Sequence, residues 1–229
     1  MKVDTHGDYL TRVTRGGFVN AFLVREEDGL TLVDTMLPRS EKRILQAAQS
    51  LGAPIVRIAL THAHQDHVGS VDALKRALPD AEVLISTRDA RFIAGDKSFD
   101  PAETDSGKLR GAYAKIQTQP TRLLNPGDRV GSLEVVASPG HTPGHVAFLD
   151  TRDRTLIAGD AYLTLGGTSV PARPSPLFPL VWFGTLNRPL TLETAKALRT
   201  LDASRLAVGH GKVIESPGAE MDKAIAKAS

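Results

Sequence analysis

Short apolar runs alternate with amphipathic segments along most of the chain, which is typical of strands and helices in alternation. The predicted strands are Phe18–Val24, Leu30–Val33, Ile55–Leu60, Glu82–Ile85, Arg122–Leu124, Leu133–Ala137, Val146–Leu149, Thr155–Ala158 and Arg205–Val208. The predicted helices are Ser40–Leu51, Val68–Leu78, a short helix with Thr87 as its N-cap, Leu192–Leu201 and a terminal helix after Pro217. This order predicts an α/β fold in one domain, residues 1–229, with no internal linker.

Two segments interrupt the alternation. The polar stretch Gly95–Gln119 predicts an insertion over the surface, with a candidate helix at Gly107–Ile116. Leu163–Pro189 is rich in Gly and Pro yet carries an apolar group that includes Phe178 and Trp182. Long loops in compact domains are often functional, so one interpretation is a lid whose Phe178 and Trp182 contact an apolar substrate. The other is packing against the protein's own core or against a second copy in a homodimer.

Composition excludes several kinds of site. The chain of 229 residues has no cysteine, so disulfides, thiolate catalysis and cysteine-containing zinc sites are excluded. Its 28 basic and 26 acidic residues are scattered, so no nucleic-acid or anionic-membrane footprint is expected. No stretch approaches a membrane span, and no secretory signal pattern stands at the beginning. We therefore expect a cytoplasmic protein that acts on a small molecule.

Histidine and aspartate are concentrated directly after the predicted strand Ile55–Leu60. His62, His64, Asp66 and His67 fall within six residues, which packing alone does not explain. His62 and His64 alternate on extended backbone and can project the same way, whereas Asp66 and His67 follow a bend. This spacing predicts a metal centre and suits two metal ions a few ångströms apart.

The motif His62-x-His64-x-Asp66-His67 resembles the signature of the metallo-β-lactamase superfamily. Further segments resemble its later motifs in the same order: Pro139-Gly-His141-Thr-Pro-Gly-His, Ala158-Gly-Asp160 and Val208-Gly-His210-Gly. The resemblance covers essentially the whole chain and implies an αββα sandwich, in which two mixed β-sheets are flanked by helices.

The resemblance also implies roles for these residues. His62, His64 and His141 would hold one divalent metal, Asp66, His67 and His210 a second, and Asp160 would bridge them, with Asp66 and Asp160 as catalytic residues. A bridging hydroxide would be the nucleophile, because two cations lower the pKa of bound water. Zinc is the expected metal, although Mn, Fe, Co or Ni suits the same donors.

Several nearby residues have other expected roles. His145, four residues after His141, is expected to be structural, and His6 is expected to be solvated. Asp34 either supports a metal-bound histidine or satisfies local backbone N–H groups in a turn. Tyr162 is a candidate substrate contact, although acyl-homoserine-lactone lactonases commonly have their tyrosine three residues after the bridging aspartate rather than two.

The superfamily resemblance leaves several reactions open. Hydrolysis of an ester, lactone or thioester is favoured, with a lactonase as the leading hypothesis. The alternatives are a mononuclear iron persulfide dioxygenase and a glyoxalase II-like thioesterase. A β-lactamase is disfavoured because Asp160 stands where those enzymes have Cys or Ser, and a nuclease or a non-catalytic metal protein is also disfavoured.

Overall fold

The computed structural model describes residues 2–101, 103 and 108–229. Its strands are β1 Lys2–His6, β2 Leu10–Arg15, β3 Val19–Arg25, β4 Leu30–Val33, β5 Ile55–Ala59, β6 Glu82–Ser86, β7 Arg122–Leu124, β8 Arg129–Val130, β9 Leu133–Ala137, β10 Val146–Asp150, β11 Thr155–Ile157, β12 Arg205–Ala207 and β13 Ile214–Glu215. Its helices are α1 Glu41–Ser50, α2 Gln65–Val68, α3 Val71–Ala77, α4 Thr87–Ala94, α5 Leu180–Gly184, α6 Arg188–Arg199 and α7 Gly218–Ala228.

The strands form two mixed sheets. Strands β1 to β7 lie side by side in chain order, antiparallel from β1 to β4 and parallel from β4 to β7. The second sheet has the order β13-β12-β11-β10-β9-β8, and β11 with β12 is its parallel pair. Because the parallel strands need crossover connections, helices lie between them on the outer faces of the sheets.

Three apolar clusters hold the layers together. One joins the first sheet to α1, α3 and α4, and another joins the second sheet to α6 and α7. The third lies between the sheets, where Phe22 and Val33 of the first meet Phe148 and Ile157 of the second. This arrangement confirms the predicted αββα class, while the division into one domain stays a prediction.

The N-terminal segment differs from the prediction, because it forms β1 and β2 before the first predicted strand. β1 is an edge strand with largely exposed side chains, so its sequence lacks an apolar pattern. The prediction that His6 is solvated is wrong. Its ring is mostly buried, and its Nε2 lies 2.8 Å from the Asp4 carboxylate.

Three local helix predictions also need correction. The helix predicted at Val68–Leu78 is divided at Gly69, where an added Cβ would lie 2.5 Å from Pro38. Ser86, not Thr87, caps α4, since its hydroxyl accepts the backbone N–H of Asp89. The helix predicted at Gly107–Ile116 does not form over residues 108–116, and Gly107 lies outside the described residues.

The segments that follow the carboxyl ends of β4, β5, β6, β11 and β12 meet at one edge of the sandwich, as expected for parallel strands. Every histidine and aspartate of the predicted metal centre lies on these segments, which include α2, or on the β9–β10 connection. Within the described ranges, no helix combines the length and hydrophobicity needed to cross a bilayer. The cytoplasmic location stays a prediction.

Candidate metal centre

The first histidines of the site follow directly from the course of β5. β5 ends at Ala59, and the chain bends at Thr61 before it reaches His64, which is the N-cap of α2 with φ −70° and ψ 147°. The rings of His62 and His64 nevertheless meet, with centroids 4.8 Å apart, and the first turn of α2 then carries Asp66 and His67. His62 and His67 are fully buried, whereas the Asp66 side chain keeps 34% of its surface exposed.

The structure brings all seven predicted ligands together. In the first group, His64 Nδ1 lies 3.2 Å from His62 Nε2 and 2.9 Å from His141 Nε2. In the second group, which also contains His67, His210 Nε2 lies 3.3 Å from Asp66 Oδ2. Within each group the donor atoms lie within 4.8 Å of one another. Nitrogen ligands around a tetrahedral zinc ion are about 3.3 Å apart, so this spacing fits a metal.

Asp160 lies between the two groups. One carboxylate oxygen, Oδ2, is 3.3 Å from His141 Nε2 of the first group and 3.4 Å from His210 Nε2 of the second. The other, Oδ1, is 3.4 Å from His67 Nε2. Gly209 makes room for this carboxylate, because an added Cβ there would lie 2.3 Å from Oδ1. No other carboxylate among the described residues contacts ligand atoms of both groups.

Each of the five imidazoles uses its outer ring nitrogen in a hydrogen bond. The pairs are His62 Nδ1 with Thr61 Oγ1, His64 Nε2 with Arg110 O, His67 Nδ1 with Asp34 Oδ2, His141 Nδ1 with Thr185 Oγ1, and His210 Nδ1 with Phe18 O. Each partner accepts, since the two hydroxyls donate elsewhere, to Asp34 and to Val181. The outer nitrogens therefore carry protons, and in the first group the inner nitrogens of His62, His64 and His141 present lone pairs to one another.

Lone pairs that face each other at these distances repel unless a cation lies between them. Three inner atoms are buried without any hydrogen-bond partner: His67 Nε2, His210 Nε2 and Asp160 Oδ1. An unpaired buried polar atom is costly, about 1–3 kcal/mol each. The donor set of imidazole and carboxylate, with outer hydrogen bonds that fix each tautomer, is the arrangement that metal-binding histidines usually have. The residues present therefore fit metal ions at both groups.

The two groups differ in charge. Burial and neighbouring imidazoles lower the pKa of His62 and of His141, and burial lowers that of His64 to about 4. In the second group, Asp160 and Asp66 outweigh the opposing effect of burial and raise the pKa of His210 to about 9. A cation that binds the second group must therefore displace a proton from His210.

Asp34 supports the second group directly. Its Oδ2 lies 2.7 Å from His67 Nδ1, and its Oδ1 accepts the backbone N–H of Thr61 at 2.9 Å. Asp34 therefore has the supporting role considered from the sequence, whereas the backbone N–H that it accepts belongs to Thr61, 27 positions later, and not to a local turn. Asp34 adopts a left-handed backbone with φ 62°, which aspartate tolerates better than most residues.

Asp89 is a buried residue of the site that the sequence analysis missed. Its carboxylate accepts hydrogen bonds from the Ala63 N–H, the Thr142 hydroxyl and the Gly144 N–H, at 2.9, 2.6 and 2.8 Å. It thereby ties the His62–His67 loop to the loop that carries His141. Burial raises the Asp89 pKa to about 6. In the sequence, Ser86-x-x-Asp89 indicates only the start of a helix, and nothing in it predicts that Asp89 also joins the two histidine loops.

His145 has the structural position that was expected. Its Nδ1 lies 2.9 Å from the Ser138 hydroxyl, and its Nε2 accepts the backbone N–H of Asp160 at 3.1 Å. Because both ring nitrogens are occupied, His145 belongs to neither ligand group. It instead fixes the backbone that carries Asp160.

The sequence profile of the metallo-beta-lactamase superfamily matches residues 14–210, which include every residue of both ligand groups. The chain belongs to this superfamily. It is 46% identical to the uncharacterized protein YobT of Bacillus subtilis, over 92% of this chain and 90% of that protein. The probable metallo-hydrolase YflN of the same organism is 27% identical over 82% of this chain and 78% of its own length.

Solved structures agree with this membership of the metallo-beta-lactamase superfamily. A crystal structure of TTHA1623 in a di-iron-bound form superimposes with a TM-score of 0.67 at 32% identity, covering 90% of this chain and 95% of that one. DIM-1 metallo-beta-lactamase superimposes with a TM-score of 0.72 over 99% of this chain and 96% of its own, but at 16% identity it shows the fold alone. The relatives of this chain thus include a protein named a probable metallo-hydrolase.

A cavity of about 490 Å³ opens over the metal centre of this superfamily member. Asp66, His64, His141 and Asp160 are at its base. Its walls are mainly apolar and comprise Phe18, Val19, Leu37, Ala112, Phe178, Leu180, Val181, Phe183 and the backbones of Gly111 and Gly184. The ligand atoms therefore face a space that holds a small molecule with apolar groups.

The segment 108–113 forms part of this wall, which corrects the prediction of a surface insertion. Gly111 approaches His64 so closely that an added Cβ would lie 2.2 Å from Nε2, and its φ of 85° favours glycine. The backbone oxygen of Arg110 accepts a hydrogen bond from His64 Nε2. Tyr113 packs on the His64 ring with centroids 4.7 Å apart. A polar stretch in the sequence gives no signal of this return to the site.

Two predicted substrate contacts are wrong. Tyr162 is fully buried in the cluster between the second sheet and α6, and its hydroxyl donates to the Ala195 carbonyl at 2.7 Å. Trp182 does not line the cavity, because its ring stacks against the Arg188 guanidinium at 3.9 Å. The neighbouring Phe183, 57% exposed, lines the cavity instead, and the predicted Phe178 does so as well.

Proposed function

We propose that this protein is a binuclear metal-dependent hydrolase that cleaves an ester, lactone or thioester bond in a substrate with an apolar acyl group. The observation that carries the proposal is the double ligand set: two groups of three donors with Asp160 in contact with both. Two divalent ions held there would supply a hydroxide nucleophile near neutral pH and polarise the carbonyl oxygen under attack.

The residues around these ions have distinct tasks in such a reaction. Asp160 supplies negative charge to both groups and so favours two cations close together. Asp66 is the most exposed of the ligands and lines the cavity, so its carboxylate would help to hold the second ion and would also be within reach of a substrate. Asp34, Thr61 and Thr185 hold the histidine rings in the required orientation.

The second ligand group favours hydrolysis over the mononuclear iron dioxygenase. That reaction uses one metal with two histidines and one aspartate, and it leaves Asp66, His67 and His210 without a task. In this chain the same residues contain two of the three orphaned buried atoms, His67 Nε2 and His210 Nε2. The di-iron form of the similar TTHA1623 also supports two metal ions at such a site.

We expect about two equivalents of a divalent transition metal per chain, with zinc first, in protein produced with metal supplementation. Elemental analysis is the measurement, combined with initial rates on matched esters, lactones and thioesters. Lactones receive no priority in this panel, because Tyr162 offers the cavity no hydroxyl. One iron per chain with oxygen consumption on a persulfide, and no hydrolysis, would replace the proposal with the dioxygenase.

Segment 163–189 supports an apolar substrate, because Phe178, Leu180, Val181 and Phe183 line the cavity. We expect Phe183→Ala to raise KM about tenfold for long-chain acyl esters and to leave acetyl esters unaffected, since it removes apolar wall area. Trp182→Ala is the comparison variant, because Trp182 is adjacent in α5 and packs edge-on against Phe183 but does not itself line the cavity.

Chain-length profiles of both variants, together with thermal unfolding, test this expectation. Equal chain-length profiles for wild type and Phe183→Ala would mean that α5 has only a packing role. If the chain-length profile shifted for Trp182→Ala and not for Phe183→Ala, Trp182 rather than Phe183 would contact the substrate.

A further inference from the structure

Three arginines share a recess beside the catalytic cavity. Arg15, Arg39 and Arg43 line it together with Gly16, and its volume is about 340 Å³. No aspartate or glutamate lines the recess, and none of the three arginines forms an ion pair with any described residue. Other arginines of this protein do form ion pairs with carboxylates, for example Arg12 with Asp4 and Arg205 with Glu215.

The recess is held in a fixed position next to the cavity. Arg15 Nη1 donates to the backbone oxygens of Leu37 and Pro38 and lies 2.9 Å from Ser40 Oγ. Leu37 in turn lines the catalytic cavity, as does Phe18, which follows the Arg15–Gly17 turn. Arg15 of the recess is therefore hydrogen-bonded directly to Leu37, which lines the catalytic cavity.

The loop between β4 and α1 connects the recess to the metal ligands themselves. Asp34, which holds His67, and Arg39, which lines the recess, both adopt left-handed backbone, with φ of 62° and 68°. The loop is fixed to the ligand segment, because the Thr35 N–H donates to the His67 carbonyl and the Gly69 N–H to that of Met36. Left-handed backbone at an arginine is unfavourable and is often retained for a functional reason.

The charge of the recess matches an anionic group. Three guanidinium groups without acidic partners attract a carboxylate or a phosphate, to which arginine can donate paired hydrogen bonds. The recess, with a volume of about 340 Å³, is large enough to hold one such group. The apolar walls at Phe183 and Leu180 receive a different part of the substrate.

We propose that the recess of Arg15, Arg39 and Arg43 is a subsite for an anionic group of the substrate, on the part opposite to its apolar acyl chain. The hydrolysed bond would then lie between an apolar acyl group and an alcohol or thiol that carries a carboxylate or phosphate. The proposal rests on the hydrolase function stated above, and it adds a determinant of specificity that the ligand set does not provide.

The test uses three esters with the same acyl chain, in which the alcohol ends in a methyl group, a carboxylate or a phosphate. We expect the metal-loaded protein to prefer an anionic ester over the neutral one about tenfold in kcat/KM at low salt. Arg39→Gln and Arg43→Gln should each lower the ratio of anionic to neutral kcat/KM about fivefold. The carboxylate and phosphate arms identify which anion the subsite favours.

Arg122→Gln is the matched control, because Arg122 is exposed on β7 and does not line the recess. A ratio near one in the wild type, or an equal loss of preference in Arg122→Gln, would overturn the subsite while hydrolysis of the neutral ester kept the proposed function intact. If no ester is hydrolysed, the proposed function fails instead. The phosphorylated alcohol is then titrated calorimetrically into wild type and the Arg39→Gln/Arg43→Gln variant, and equal affinities would overturn the subsite as well.

Discussion

Replacing Asp160 with asparagine is expected to lower kcat/KM about a thousandfold or more, on the scale seen when a group that stabilises transition-state charge is lost. Among the described residues this carboxylate is the one that contacts ligand atoms of both groups, with Oδ2 near His141 and His210 and Oδ1 near His67. Asparagine keeps the size but removes the negative charge and turns an N–H₂ group toward histidine lone pairs. Metal content should fall from about two equivalents toward one or none.

The measurements for Asp160→Asn are elemental analysis and steady-state kinetics on the best ester of the panel. Asp80→Asn is the control, because Asp80 is exposed in the turn after α3 and lies on no site loop. Near-wild-type turnover with two metals bound would show that Asp160 does not link the groups. Circular dichroism and thermal unfolding separate a loss of metal from a loss of fold.

Asp89→Ala is expected to weaken metal binding about 10- to 100-fold, the range found when residues that orient metal ligands are changed. The substitution leaves the Ala63 and Gly144 N–H groups and the Thr142 hydroxyl without their acceptor. Unsatisfied buried donors cost about 1–3 kcal/mol each, so the free energy of unfolding should fall by about 3 kcal/mol or more. Because Asp89 contacts no ligand atom of either group, its effect passes through the two loops.

Metal titration with a competing chelator and denaturant unfolding are the measurements for Asp89→Ala. Ser98→Ala offers a control for loss of a side-chain hydrogen bond outside the site, since Ser98 bonds to exposed Asp96 and Arg91. If metal affinity is unchanged while stability falls, Asp89 is structural only. If neither the metal affinity nor the free energy of unfolding changes, the hydrogen bonds of Asp89 to the two histidine loops do not contribute to either.

The pattern of apolar and polar residues along the chain predicted most of the strands and helices of the fold. Strands such as Leu30–Val33 and Leu133–Ala137 were predicted with the bounds that the structure has, because short runs rich in apolar and β-branched residues between turn residues are typical of strands. Strand β1 was missed because it lies at a sheet edge with exposed side chains. The ligand cluster His62–His67 was also visible, since short-range spacing places these side chains on one strand end and one helical turn.

Contacts between distant segments could be decided only in the tertiary structure. Asp89 lies 26 positions after Ala63 and 55 before Gly144, and its bonds to both exist only because β6 brings α4 to that edge. The same holds for the return of Gly111 to His64 and for the meeting of Arg15 with Arg39. Local sequence patterns contain no record of such pairings.

The direction of individual side chains was the other point that the sequence left open. Trp182 and Phe183 are neighbours in α5, and successive helical residues point about 100° apart, so the start of the helix decides which one meets the cavity. Tyr162 is similar, since its burial against α6 depends on a hydrogen bond to Ala195, which lies 33 positions later in the chain. The sequence by itself therefore determined the fold class and which residues cluster as candidate ligands. Packing between the layers decided how those ligands are oriented and which side chains line the cavity, because both depend on contacts between segments that are far apart along the chain.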